Sequence, residues 1–171
     1  MRLIILTWIV MLSGLAAGIA LTGLPVGRLP TEGRLLADEI PQLSLAGYLQ
    51  AEVAIDANNI VLTSGCRRLS MATHDYQAES ISRGLEDSRD ARPNAHDIMV
   101  DILDTYDMDV LMVKVESFSG DAYFSKLVIQ QGDRVLNLDA KPSDSIAVAV
   151  RKGAPVYVSQ QLLGQLGKNV C

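Results

Sequence analysis

Two short stretches of this 171-residue chain concentrate the side chains able to move protons or hold a phosphate. Arg92-Pro93-Asn94-Ala95-His96-Asp97-Ile98 carries one of only two histidines, and Asp139-Ala140-Lys141-Pro142-Ser143-Asp144 carries two carboxylates with a lysine and a serine between them. Hydrolysis of a phosphodiester requires an activated water, stabilisation of charge on the phosphoryl oxygens and a proton for the leaving oxygen. A histidine working near neutral pH and carboxylates able to hold Mg2+ or Mn2+ supply those functions. His96, Asp97, Asp139 and Asp144 therefore form the candidate catalytic set, with Lys141 and Ser143 as candidate substrate-binding residues and no metal ligands assigned. The second histidine, His74, stands in Thr73-His74-Asp75.

Each of these residues also has a structural reading. Asp97 lies three residues after Asn94 and fits a capping-box variant, and Asp144 has the same relation to Lys141. His96 fits a hydrogen bond to a backbone carbonyl, and Asp139 fits a side chain closing a turn. Histidine and aspartate cluster at two helix starts, which points to chemistry. Lys141 and Arg151 suit solvent as well as phosphate, and Asp101 and Asp104 read as a solvated helix face.

The elements that must position these residues are legible in part. Val135 to Leu138 reads as a strand, Pro142 suits a first helical position, and Asp144 falls in the first turn of the helix. Ile146 to Val150 is apolar on every side, which predicts a buried helix closed by Arg151, Lys152, Gly153 and Pro155. Strands are expected at Leu49 to Ile55, Ile60 to Thr63, Arg67 to Ala72, Val110 to Phe118, Ala122 to Gln130 and Val156 to Val158. Tyr76 to Leu85 is helix-compatible, and Asn94 predicts the cap of a helix to about Tyr106 with Ile98, Ile102 and Tyr106 on its apolar face. Three strands then a helix occur twice, and Glu79-Ser80-Ile81 parallels Asp144-Ser145-Ile146. An internal duplication of a βββα unit follows as an expectation. The expected class is α+β: a mostly antiparallel sheet with covering helices, preceded by one N-terminal transmembrane helix.

Asp139 to Val158, D-A-K-P-S-D-S-I-A-V-A-V-R-K-G-A-P-V-Y-V, closely resembles the core motif of the bifunctional nuclease domain family, and Arg92 to Ile98 is similar to that family's R-P-x-[ST]-H-D-L. The two stand in the family's order and at about its interval, and the resemblance covers roughly Tyr48 to Gly167. It implies a nuclease acting on DNA, RNA or both. Two positions depart from the pattern. Gln77 replaces a glutamate that family members often carry, and Ala95 replaces the Thr or Ser before the histidine.

Composition allows one domain plus an appendage: 49% of residues are hydrophobic and 5% aromatic. Leu3 to Leu24 holds no charged residue, which matches the roughly 20 residues a membrane-spanning helix needs. Residues 1–24 thus read as a membrane anchor, with a cleaved signal peptide as the competing reading, 25–47 as a linker and 48–171 as the nuclease-like domain. The short N-terminal tail leans towards a single-pass protein with its domain outside the cytoplasm, and the charge asymmetry adds little. In an oxidising compartment Cys66 and Cys171 are able to pair; otherwise Cys66 reads as a buried strand residue and Cys171 as a mobile terminus. Gly14-x-x-x-Gly18 and exposed sheet edges are routes to a homo-oligomer. Setting Arg2 aside, 14 basic residues face 20 acidic ones, without a basic stripe or an aromatic platform for nucleic acid. A nuclease and a catalytically weak or inactive binding and assembly module on the same scaffold are the two functional readings.

Overall fold

The structure is a computed structural model and describes residues 41–171. The expected anchor and residues 25–40 of the expected linker lie outside them; among the described residues no helix is long and apolar enough to cross a membrane.

Strands β1 (Tyr48–Asp56), β2 (Asn59–Ser64) and β3 (Arg67–Ala72) form an antiparallel meander that leads into helix α1 (Asp75–Leu85). Helix α2 (Ala95–Thr105) connects to a second meander, β4 (Asp109–Ser119), β5 (Ala122–Gln131) and β6 (Arg134–Ala140), which leads into helix α3 (Pro142–Arg151). Strand β7 (Val156–Ser159), helix α4 (Gln160–Leu166) and the two-residue strand β8 (Lys168–Asn169) finish the chain. The strands join in one eight-stranded sheet in the order β6-β5-β4-β7-β1-β2-β3-β8. Its pairings are antiparallel except β4 with β7. The class is α+β, as expected, and the βββα order occurs twice.

β7 holds the meanders together. It pairs in parallel with β4 at Val113↔Val156 and antiparallel with the first half of β1 at Ala51↔Val156. The second half of β1, from Glu52 onward, turns its hydrogen bonds to β2. Ile60, Leu62, Leu69, Val113, Val115, Val128 and Val158 from the strands and Ile81 and Ile146 from the helices are essentially inaccessible to solvent. Full burial of such side chains contributes about 1.5–3 kcal/mol each. α3 is the buried helix its uniform apolarity predicts, with Ser145 to Ala149 all enclosed. α1 lies against it at Gly84, where a Cβ would stand 2.5 Å from Val150 Cγ2. Glycine is what lets the two helices approach so closely.

Three expectations are corrected. On α2 the buried residues are Asp97, Val100 and Leu103, whereas Ile98, Ile102 and Tyr106 face solvent. Cys66 sits exposed in the β2–β3 turn, not in a buried strand, and Cys171 is tied down: the two form a disulfide with Cα atoms 5.2 Å apart. The folded part also begins before Tyr48. The Lys114 side chain, buried on β4, donates from Nζ to the carbonyls of Gln42 and Ser44 at 2.7 and 2.6 Å and lies 5.2 Å from the centre of the Tyr48 ring. Burial lowers the pKa of this ammonium against the opposing pull of Glu116, and the two carbonyls satisfy it where water is excluded.

Candidate active site

The first turns of α1 and α3 bring Gln77 and Asp144 together. Each is the third residue of its helix, Asp144 of α3, which opens at Pro142, and Gln77 of α1, which opens at Asp75. Gln77 Nε2 donates to Asp144 Oδ1 across 2.9 Å, and the Thr73 hydroxyl donates to Gln77 Oε1 across 2.7 Å. A hydroxyl on one side and a carboxylate on the other fix which end of the amide faces which.

His96 reaches the same carboxylate from α2, with Nε2 at 3.4 Å from Asp144 Oδ1. Its Nδ1 lies 2.9 Å from Ser80 Oγ. That hydroxyl already accepts from Asn94 Nδ2 at 3.2 Å and Arg151 Nη2 at 3.0 Å. With both acceptor positions taken, Ser80 turns its single proton to Nδ1, which assigns the tautomer with the ring proton on Nε2, facing Asp144. His96 is largely buried and Asp144 is 45% exposed, so the carboxylate is the solvent-facing end of this chain of hydrogen bonds.

Behind it lies a closed ion pair. Arg151 Nε donates to Asp97 Oδ1 across 2.8 Å, with Asp97 fully enclosed and the arginine side chain 5% exposed. Asp97 Oδ2 accepts the Asn94 backbone N–H, and Asn94 Oδ1 accepts the N–H groups of His96 and Asp97, a complete capping box. Burial pushes the Asp97 carboxyl up, but the Asn94 N–H and the Arg151 guanidinium, aided by the charge of Arg89, outweigh it and hold it below the usual carboxylate range. Asp97 thus positions His96 from behind and is sealed from any substrate.

The structure therefore joins His96 and Asp144 and separates the other candidates. Asp139 projects from β6, 68% exposed, and pairs with Lys126 on β5 at 3.0 Å, its cross-strand neighbour. Lys141 and Ser143 line a cavity of about 360 Å³ that also takes in His74 and Gln77, so Gln77 separates it from Asp144 by one side chain. Ser80 and Thr73 are absent from the expected site, and Arg151, which by sequence suits solvent or phosphate, instead closes on Asp97. Gln77, Ser80 and Gly84 stand at i, i+3 and i+7, the spacing of one helix face, which is the signal that was available.

Among the described residues no three His, Cys, Asp or Glu side chains converge as metal ligands. Asp144 is a single carboxylate whose neighbours are an amide and an imidazole that both point donors at it. This donor set does not fit a resident Mg2+ or Mn2+, which call for several oxygen ligands.

Residues 60–170 match the model of the bifunctional nuclease domain. The chain belongs to that family. The matched span opens on β2 and includes His96, Asp97, Asp139, Lys141, Ser143 and Asp144, while β1 precedes it. An uncharacterised protein of Mycobacterium tuberculosis is 28% identical over 104 residues, 61% of this chain and 62% of the relative. Bifunctional nuclease 2 of Arabidopsis thaliana is 32% identical over 83 residues, covering 47% of this chain and 25% of the plant protein. Bifunctional nuclease 1 of Oryza sativa subsp. japonica is 27% identical over 89 residues, 50% of this chain and 27% of the relative. The chain thus spans about three fifths of the mycobacterial relative and about a quarter of the plant nucleases.

Proposed function

We propose that this domain hydrolyses phosphodiester bonds of DNA or RNA, with Asp144 and His96 as its catalytic pair. The observation that carries the reading is the meeting of His96 and Asp144, delivered by two different helices, at the solvent-facing end of a hydrogen-bonded chain. Membership of the family and relatives named bifunctional nucleases support a nuclease-type function. Asp144 Oδ1 is held by Gln77 and His96, which leaves Oδ2 to take the proton of an attacking water. The Nε2–H of His96, beside the same carboxylate, is the donor assigned here to charge developing on a phosphoryl oxygen. The proton taken by Asp144 then returns to the leaving oxygen. A divalent ion enters this proposal only as one brought with the substrate's phosphates, and no step here depends on it.

The disulfide supports placing the domain in an oxidising compartment outside the cytoplasm. A second reading, a binding or assembly module on the same scaffold, is favoured by one observation: Gln77 puts an amide against Asp144 where family members often carry a glutamate. The two readings separate in a cleavage assay of the full chain on single- and double-stranded DNA and RNA, with Mg2+, Mn2+ or EDTA. Cleavage that falls at least about 100-fold in both Asp144→Asn and His96→Ala supports the catalytic pair. A folded wild type that cleaves nothing, or variants that cut as well as it does, leaves the binding module.

A further inference from the structure

The cavity beside Gln77 is built between two helix N-termini. His74 is the N-cap of α1 and Lys141 the N-cap of α3, and neither side chain caps its own helix. In α3 the N–H groups of Asp144 and Ser145 both return to the Lys141 carbonyl. Pro142 has no N–H to offer, so Ser143 supplies the first free backbone donor of the helix, at the end where the dipole favours negative charge.

A second observation is independent of the helix ends. Ser143 is only 7% exposed, and among the described residues its hydroxyl has no hydrogen-bond partner. No fully enclosed side-chain polar atom among the described residues is left without a partner, so this hydroxyl keeps contact with solvent, and Ser143 is one of the residues that line the cavity. An unpartnered O–H on a largely buried serine, beside a free N–H and with an exposed lysine and an exposed histidine lining the same cavity, is a set of donors awaiting an acceptor. Asp121 is the only carboxylate in the lining, and Tyr123 adds a phenol to the wall.

We propose that this cavity seats a phosphate of the substrate, held by the N–H and hydroxyl of Ser143, the Lys141 ammonium and the His74 ring. The assignment deepens the nuclease reading and rests on it for the nature of the substrate. A phosphate here stands one side chain, Gln77, away from Asp144, which makes it a neighbour of the bond to be cut. The same small pocket suits a single phosphate without a basic stripe, which this acidic chain lacks.

The test is binding of inorganic phosphate and of a thymidine dinucleotide with one internal phosphate to the full chain, followed by calorimetry and by chemical-shift mapping. Phosphatidylglycerol vesicles serve as a third probe. Lys141→Gln and His74→Gln alter exposed positions and leave the fold intact, and Ser143→Ala removes only the hydroxyl. Phosphate and dinucleotide are expected to perturb Ser143 and its neighbours, with affinity falling about tenfold in Ser143→Ala and in Lys141→Gln, the loss typical of a hydrogen bond to a charged group. Unchanged affinity in these variants, shifts confined to other surfaces, or binding to vesicles without binding to the dinucleotide overturns the assignment. If the dinucleotide binds here and is never cleaved, the cavity assignment stands and the nuclease reading fails. If cleavage proceeds with the same KM in wild type and variants, the reverse holds.

Discussion

Gln77 gives its amide to the same Asp144 oxygen that His96 faces, so α1 and α3 are linked at their first turns by a neutral group and a single carboxylate. A Gln77→Glu substitution sets two carboxylates against each other beside an imidazole. Without metal it is expected to cost about 1.5–3 kcal/mol, the value of a hydrogen bond to a charged group. In Mn2+ at 100 times its dissociation constant the variant is expected to regain about 2.7 kcal/mol, seen as a higher melting temperature. An equal Mn2+ effect on the wild type would show that the amide is no obstacle to metal.

Asp97 is expected to be structural. Removing either member of the enclosed Asp97–Arg151 pair strands a buried charge and is expected to cost about 3–5 kcal/mol in urea unfolding. An Arg151→Met protein that loses less than about 1 kcal/mol would mean that water reaches the pair.

The same carboxyl sets an acid limit. Its folded pKa lies below the unfolded value of about 3.9, so its contribution is fully present above that value and is lost as pH falls through the folded one. Urea midpoints measured from pH 7 to pH 2 are expected to fall below about pH 4, and to fall less in Asp97→Asn. Parallel curves for the two proteins would assign the acid transition to other groups.

Asp139 and Asp144 are expected to part company. Asp139→Ala removes an exposed cross-strand partner of Lys126 and is expected to change stability by no more than about 0.5 kcal/mol, with cleavage intact. Loss of cleavage in this variant would return Asp139 to the site.

The disulfide spans 105 residues of sequence, and a loop of about that length is worth roughly 4.7 kcal/mol in the chain-entropy account. Reduction, or Cys171→Ser, is expected to lower the melting temperature by about 10 °C or more and to speed amide exchange in β8 and β3 first. Unchanged exchange there would mean that β8 holds without the bond.

Much of the frame is local and therefore legible. Asn94 announces the start of α2, Pro142 and Gly153 bracket α3, and alternation places the six longer strands within a residue or two. The site is less so, because its contacts join residues far apart in sequence. Arg151 looks like a charge complementing the end of its own helix, yet it turns inward to Asp97, 54 residues away. The Ile98, Ile102 and Tyr106 stripe reads as the buried face of α2 by hydropathy, but the capping box and the Asp97–Arg151 pair turn Asp97, Val100 and Leu103 inward instead. α4 and β8 are too short to leave a periodic signal, and β8 is recognisable only from its pairing with β3.

The Lys114 contacts determine how the domain bears a load. A pull arriving from upstream residues meets the Gln42 and Ser44 carbonyls first, pinned to an interior strand, before it can reach β1. Force on the leading segment is thus expected to reach β4, inside the sheet, so that β1, the strand of the first meander that pairs with β7, is spared from being unzipped one residue at a time.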